Sequence, residues 1–231
     1  MVNTDSYKEI ITYLNSKKVT LVAVSKTKPK EQIVELYNLG QRNFGENYVQ
    51  ELVDKYSELP KDIHWHFIGH LQTNKVKDIA PFVYMIHAVD SFKLLTEINK
   101  YAQKNNRTIS ILLQMCIADE ETKFGLDEKE IIVLLEYYEA QKNTLENIKI
   151  CGLMGMATNT DDTEKIKTEF NRLHQFYLHL AETTFFAKPY FSICSIGMSS
   201  DYLLAIEQGS NLVRIGSLLF GAREYKNIAG K

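Results

Sequence analysis

Short apolar runs alternate along this chain with longer stretches in which apolar residues recur every three or four positions. These are the signatures of buried strands and amphipathic helices. Tyr7, Ile10, Ile11 and Leu14 predict a helix over 5–16, leading into the apolar run 21–24, which reads as a strand buried on both faces. Pro29 marks the next helix start; Ile33, Val34, Leu36 and Tyr37 carry that helix and Gly40 ends it. The alternation then repeats. Further strands are expected at 43–46, 63–68, 83–89, 109–117, 148–156, 190–195 and 212–215. Between them the spacing predicts helices from Val49 to before Pro60, over 71–80, and from an N-cap at Ser91 to about Asn105. Others start at Asp127, run through Ile166 to near Thr184, span 202–208, and add a last turn from Ser217. Eight strands alternating with eight helices predict a single (β/α)8 barrel with an N-terminal helix, one domain over 1–231. A doubly wound sheet needs only about five or six strands.

Composition narrows the function classes. Hydrophobic residues are 45% and charged residues 24%, a balance that supports a sizeable core. The net charge of −2, with no block of five like charges, argues against a nucleic-acid or anionic-membrane partner. Neither a signal peptide nor a membrane span is expected, because 1–18 has no apolar core segment and no apolar run reaches 18 residues. Cys116, Cys151 and Cys194 are odd in number and widely spaced, which reads as buried thiols in a reducing compartment, the cytoplasm.

Candidate chemistry gathers at the ends of the first and last strands. Lys26 lies where the 21–24 strand opens into a loop, the end at which parallel α/β folds build their sites. A partly desolvated amine there has a lowered pKa and can attack an aldehyde to form a Schiff base. The bland reading is a solvated loop lysine beside Lys28 and Lys30. In the eighth unit, Gly216 and Ser217 open a helix whose N–H groups and dipole can seat an anion, and the loop 195–201 before it is rich in small residues and hydroxyls. Arg214 stands inside an apolar run, where a charge is placed when paired or bound to a ligand; Glu46 and Glu207 are the structural partners to consider. Strands one and eight are neighbours in a closed barrel, so lysine, arginine and anion seat together suggest an aldehyde that carries a phosphate.

Six stretches carry a resemblance to a known family. They are Ala23-Val24-Ser25-Lys26-Thr27-Lys28, Phe44-Gly45-Glu46-Asn47-Tyr48-Val49-Gln50-Glu51, Trp65-His66-Phe67-Ile68-Gly69-His70-Leu71-Gln72-Thr73-Asn74-Lys75, Gly152-Leu153-Met154, Gly197-Met198-Ser199 and Arg214-Ile215-Gly216. From about Leu21 to Tyr225 the chain resembles the pyridoxal phosphate homeostasis proteins, single-domain barrels similar to the barrel domain of alanine racemase. The resemblance implies that Lys26 binds pyridoxal 5′-phosphate covalently, as a Schiff base. It also implies that Ser199 and the amides of Gly216 and Ser217 hold the phosphate, that Arg214 points at the pyridine nitrogen, and that Asn47 and Met154 line the pocket. His66 lies near it or is a satisfied core residue, Lys28 and Lys75 read as solvated or loop-anchoring, and Trp65 and Tyr48 read as packing residues.

An arginine keeps its proton and can only donate to the pyridine nitrogen, which leaves the ring a poor electron sink. Related racemases carry an extra β domain with a second base, and here only sixteen residues follow the eighth strand up to Lys231; nor does a tyrosine follow the Lys26 strand. The expected function is therefore a non-enzymatic, monomeric store or carrier of pyridoxal 5′-phosphate, which keeps its free concentration low and passes it to apoenzymes. The alternatives are a small amino-acid racemase and a cofactor-free aldolase that uses Lys26 directly.

Overall fold

The computed structural model describes residues 2–118 and 124–221. The end of the resemblance at Tyr225 and the chain end at Lys231 lie outside them. Eight parallel strands close into a barrel in sequence order: β1 (Thr20–Val24), β2 (Asn43–Glu46), β3 (His64–Phe67), β4 (Met85–Val89), β5 (Ile109–Gln114), β6 (Ile148–Met154), β7 (Ile193–Met198) and β8 (Leu212–Ile215). The seam closes where β1 pairs with β8, Val22 opposite Arg214 and Ala23 opposite Ile215.

Around the barrel lie α1 (Thr4–Ser16), α2 (Lys30–Asn38), α3 (Val49–Glu58), α4 (Val76–Ile79), α5 (Phe92–Lys104), α6 (Glu128–Ala140), α7 (Thr163–Glu182), α8 (Tyr202–Glu207) and α9 (Ser217–Phe220). Local chemistry sets several starts. Asn3 and Ser91 cap α1 and α5, and Asp127 with Glu130 forms a reciprocal capping box at α6. Because α9 is a single turn, α1 packs beside it, with the Asn3 N–H bonded to the Leu219 carbonyl. The outward faces of the strands and inward faces of the helices form one continuous apolar core around Phe44, Trp65, Phe67, Ile111, Phe170 and Ile215.

Three elements differ from the sequence reading. The helix expected over 71–80 shrinks to a 3-10 turn (Thr73–Lys75) and α4, because Leu71 and Val76 are both buried though five residues apart, which one α-helical face does not allow. Strand β7 runs to Met198, carried past Gly197 by a bulge opposite β8, so the loop after it is shorter than 195–201. Strand β5 stops at Gln114, and a single bridge from Met115 to Leu126 continues its edge.

Register decides what fills the interior. Stepping around the barrel with the stagger of such barrels, Gly45, His87, Met154 and Arg214 of the even strands share one layer. Val22, His66, Leu112 and Ser195 form the layer below, and Val24, Ile68 and Gln114 belong to the layer above. One half of this interior is apolar, where Met85, Ala88, Leu112, Cys151 and Met154 pack together. The other half is polar and leads up to Arg214. No helix among the described residues is long and apolar enough to cross a membrane. All three cysteines are free thiols; Cys151 and Cys194 are buried, and Cys116 is half-buried.

Candidate functional site

At the C-terminal ends of the strands a cavity of about 540 Å3 opens, lined by Lys26, Asn47, Met156, Ser199, Arg214 and Gly216 among others. Its height follows from the layers: Val24 and Ile68 form the wall above Arg214, and Asn47, Met156 and Gly216 stand two residues further along their strands.

Lys26 follows β1 in a tight turn, where the Lys28 N–H reaches the Ser25 carbonyl at 3.1 Å and Thr27 takes φ +62°. Its two neighbours are held from α3 and β2. The Lys55 ammonium donates to the Ser25 carbonyl at 2.8 Å and to Glu46 Oε1 and Glu51 Oε1, each at 2.7 Å. The Ser25 hydroxyl donates to Glu46 at 2.6 Å, and the Thr27 N–H donates to Glu51 at 2.7 Å. Glu46 is fully buried and its Oε2 has no partner; burial outweighs the attraction of Lys55 and pushes its carboxyl up to about 7. Lys28, beside the turn, donates to the Phe220 carbonyl at 2.8 Å, so it anchors α9 to this loop.

Arg214 is buried and bonded to neutral acceptors, the Ser195 carbonyl at 2.8 Å, the Ser195 hydroxyl at 2.5 Å and the Gly155 carbonyl at 2.9 Å. Neither Glu46 nor Glu207 pairs with it; Glu46 belongs to Lys55. Desolvation lowers its pKa to about 10, which leaves it a cation at neutral pH. The loops after β7 and β8 are tied together by the Gly216 N–H donating to the Ser199 hydroxyl at 3.1 Å. A Cβ on Gly216 would lie 3.2 Å from the Val24 carbonyl, so any side chain here would push this loop and β1 apart by a few tenths of an ångström. With four residues, α9 is too short for an appreciable dipole. It offers instead the N–H of Ser217, which has no intrahelical acceptor. The Asn47 side chain completes the mouth with a buried Oδ1 that has no partner, on a backbone fixed by close packing of Gly69.

The structure thus brings Lys26, Asn47, Ser199, Arg214, Gly216 and Ser217 into one cavity. Met154 is not in its lining. It lies in the Arg214 layer among Met85, Leu112 and Cys151, and Met156, two residues on and so on the same face, lines the cavity instead. His66 is a layer lower, Trp65 is buried in the outer core, and Tyr48 is 59% exposed rather than packed. Sequence reasoning missed Met156, Ser195, the Gly155 carbonyl and the Glu46–Lys55–Glu51 bracket. A carboxylate closing the short β2 strand, with a Glu–Lys pair at i, i+4 on the helix after it, was the available signal for the bracket.

Comparison with known proteins follows the same lines. A family profile described as the alanine racemase N-terminal domain matches residues 4–224. The pyridoxal phosphate homeostasis protein of Aquifex aeolicus is 42% identical over 208 residues, 89% of this chain and 87% of that protein. The structure of PipY from Synechococcus elongatus with pyridoxal phosphate bound superposes with a TM-score of 0.79 at 33% identity, over 92% of this chain and 99% of that one. Alanine racemase from Bartonella henselae shares the fold, with a TM-score of 0.65 at 17% identity over 94% of this chain and 59% of its own.

Proposed function

The chain belongs to the family of pyridoxal phosphate homeostasis proteins, and from that premise we propose that it binds pyridoxal 5′-phosphate in the Lys26–Arg214 cavity and holds it without turning amino acids over. The residues fit such a group. An amine, a set of hydroxyl and N–H donors and a cation surround one cavity, and the unpartnered Asn47 Oδ1 and the close approach at Gly216 leave room and need for a polar occupant. When bound, the group supplies an aldehyde that condenses reversibly with amines.

In this reading Lys26 is the residue that attaches to the aldehyde, on a turn steadied by Lys55 and Glu51. Ser199, Gly216 and Ser217 hold the phosphate across the β7 and β8 loops, and Asn47 and Met156 flank the ring, with Met154 packed a layer below. Arg214 donates a hydrogen bond to the pyridine nitrogen and, at a pKa of about 10, surrenders no proton to it. Among the described residues that line the cavity there is no tyrosine, histidine, cysteine or carboxylate, and the one lysine besides Lys26, Lys28, donates its ammonium to the Phe220 carbonyl. This lining is the observation that favours a holder of the cofactor over a racemase. Attachment through one lysine is reversed by an incoming amine, so the protein keeps free pyridoxal phosphate low and passes it to apoenzymes. The reading extends to a monomer in the cytoplasm, where three free thiols are at home.

Borohydride reduction of the ligand-saturated protein, followed by peptide mapping, tests this. The mass increase is expected on Lys26; none, or one confined to other residues, overturns the assignment. Incubation with single-enantiomer amino acids and chiral analysis is expected to show no sustained turnover, and turnover would make the protein an enzyme.

A further inference from the structure

Beneath the cavity the polar half of the barrel holds a buried chain that cofactor binding does not use. His66 Nε2 lies 3.1 Å from Asn43 Oδ1, and His66 Nδ1 lies 2.8 Å from His87 Nε2. The chain climbs the layers, from Asn43 near the lower mouth through His66 to His87 in the layer of Arg214. It ends on His87 Nδ1, which is buried and has no hydrogen-bond partner. Both rings are neutral, His66 pushed down to about 3 and His87 well below the ordinary histidine value. Burial is the main cause, with the nearby Arg214 charge also opposing protonation of His87.

Proton bookkeeping assigns the free end. A carbonyl oxygen only accepts, so with Asn43 Oδ1 as acceptor His66 carries its proton on Nε2. His66 Nδ1 then accepts from His87 Nε2–H, which leaves a lone pair on His87 Nδ1. Arg214, in the same layer, donates three hydrogen bonds to Ser195 and Gly155 and makes no salt bridge among the described residues, Asp201 attracting it only at longer range, so part of its five-donor fork remains for other groups. Strand β4 is bulged between Ile86 and Val89, a device that re-aims an interior side chain.

We propose that His87 is a positioning residue for Arg214: its lone-pair nitrogen, oriented through His66 and Asn43, faces the guanidinium across the barrel and fixes the direction in which Arg214 presents its remaining donors to the cavity. The inference rests on the reading that Arg214 faces the pyridine nitrogen of the bound cofactor.

Two substitutions separate the nitrogens. His87→Gln keeps a polar group near Nε2, and with it the bond to His66, but removes the acceptor at Nδ1. His87→Asn places an oxygen near Nδ1 and drops the link to His66. The readouts are the nitrogen-15 resonance of ring-labelled pyridoxal phosphate bound to the protein, and its dissociation constant, with thermal unfolding of the ligand-free proteins as control. His87→Gln is expected to move the resonance and weaken binding about tenfold, with His87→Asn recovering most of both, as the loss of an acceptor facing a charge requires. Gln and Asn variants that leave the resonance unmoved, or move it equally, overturn the proposal. Arg214→Lys isolates the premise. If it leaves the resonance in place, Arg214 does not face the ring nitrogen and both readings fall; if it moves the resonance while His87→Gln does not, only the role of His87 falls. In the unsubstituted protein, the histidine nitrogen-15 spectrum must show His87 protonated on Nε2; a proton on Nδ1 overturns the proposal without any variant having to fold.

Discussion

Glu46 is enclosed without solvent, sharing one ammonium with Glu51, and its second oxygen is bare. An acid whose pKa rises from 4.5 to about 7 on folding binds its proton more tightly in the native state. Its contribution to stability is therefore full below about 4.5 and is lost as pH climbs to about 7, a change on the order of 3 kcal/mol. Denaturant unfolding at several pH values checks this. The stability gap between the natural protein and Glu46→Gln is expected to narrow as pH rises through that window; a gap that widens rejects the assignment. The same residue bears on the site, because the Ser25 hydroxyl and the Lys55 ammonium that grip the Lys26 turn both end on Glu46 Oε1. Loosening that grip acts on the lysine at one remove.

At the scale of strands and helices, close approach of backbones is the strictest constraint. Gly152 in β6 has φ +153°, and a Cβ there would lie 1.8 Å from the Ile193 carbonyl of β7, whereas one on Gly40, at φ +100°, would meet nothing. Gly152→Ala is expected to cost about 3 kcal/mol or more, from strain and overpacking together. Gly40→Ala is expected to cost about 1 kcal/mol, from conformation alone; equal midpoints in chemical denaturation would refute the contrast. Elements of this kind were readable from the chain where one signal dominated. The 212–215 strand agrees with β8 residue for residue, and Ser91 and Asp127 cap the helices they were expected to start. The reading erred where tertiary packing decided. Nothing local says that 71–75 breaks the helix to bury Leu71 in the outer core, or that a bulge carries β7 through Gly197. For the site, two-residue periodicity chose the correct face of β6 but not the height on it, which is why Met156 rather than Met154 reaches the cavity. Arg214 was legible as a charge in an apolar run; its partners were not, because two of the three are backbone carbonyls that every residue possesses.

Taken whole, the cavity sits on the seam of the barrel. Lys26 follows β1, Arg214 lies in β8, and Ser199 follows β7, so three strands that are consecutive in space converge on it. A ligand that spans lysine, arginine and phosphate seat is expected to slow hydrogen–deuterium exchange most at the amides of β7, β8 and β1, and least at β4 and β5 across the barrel. Uniform slowing would mean that binding stabilises the fold without that focus. The position of the seam also orders events in the life of the chain. While a ribosome is still making the last strand, the amine proposed to anchor the ligand is already outside, but Arg214 is not. A nascent polypeptide therefore has nowhere to seat the vitamin-derived group, which can reward a finished cylinder but cannot help to nucleate one.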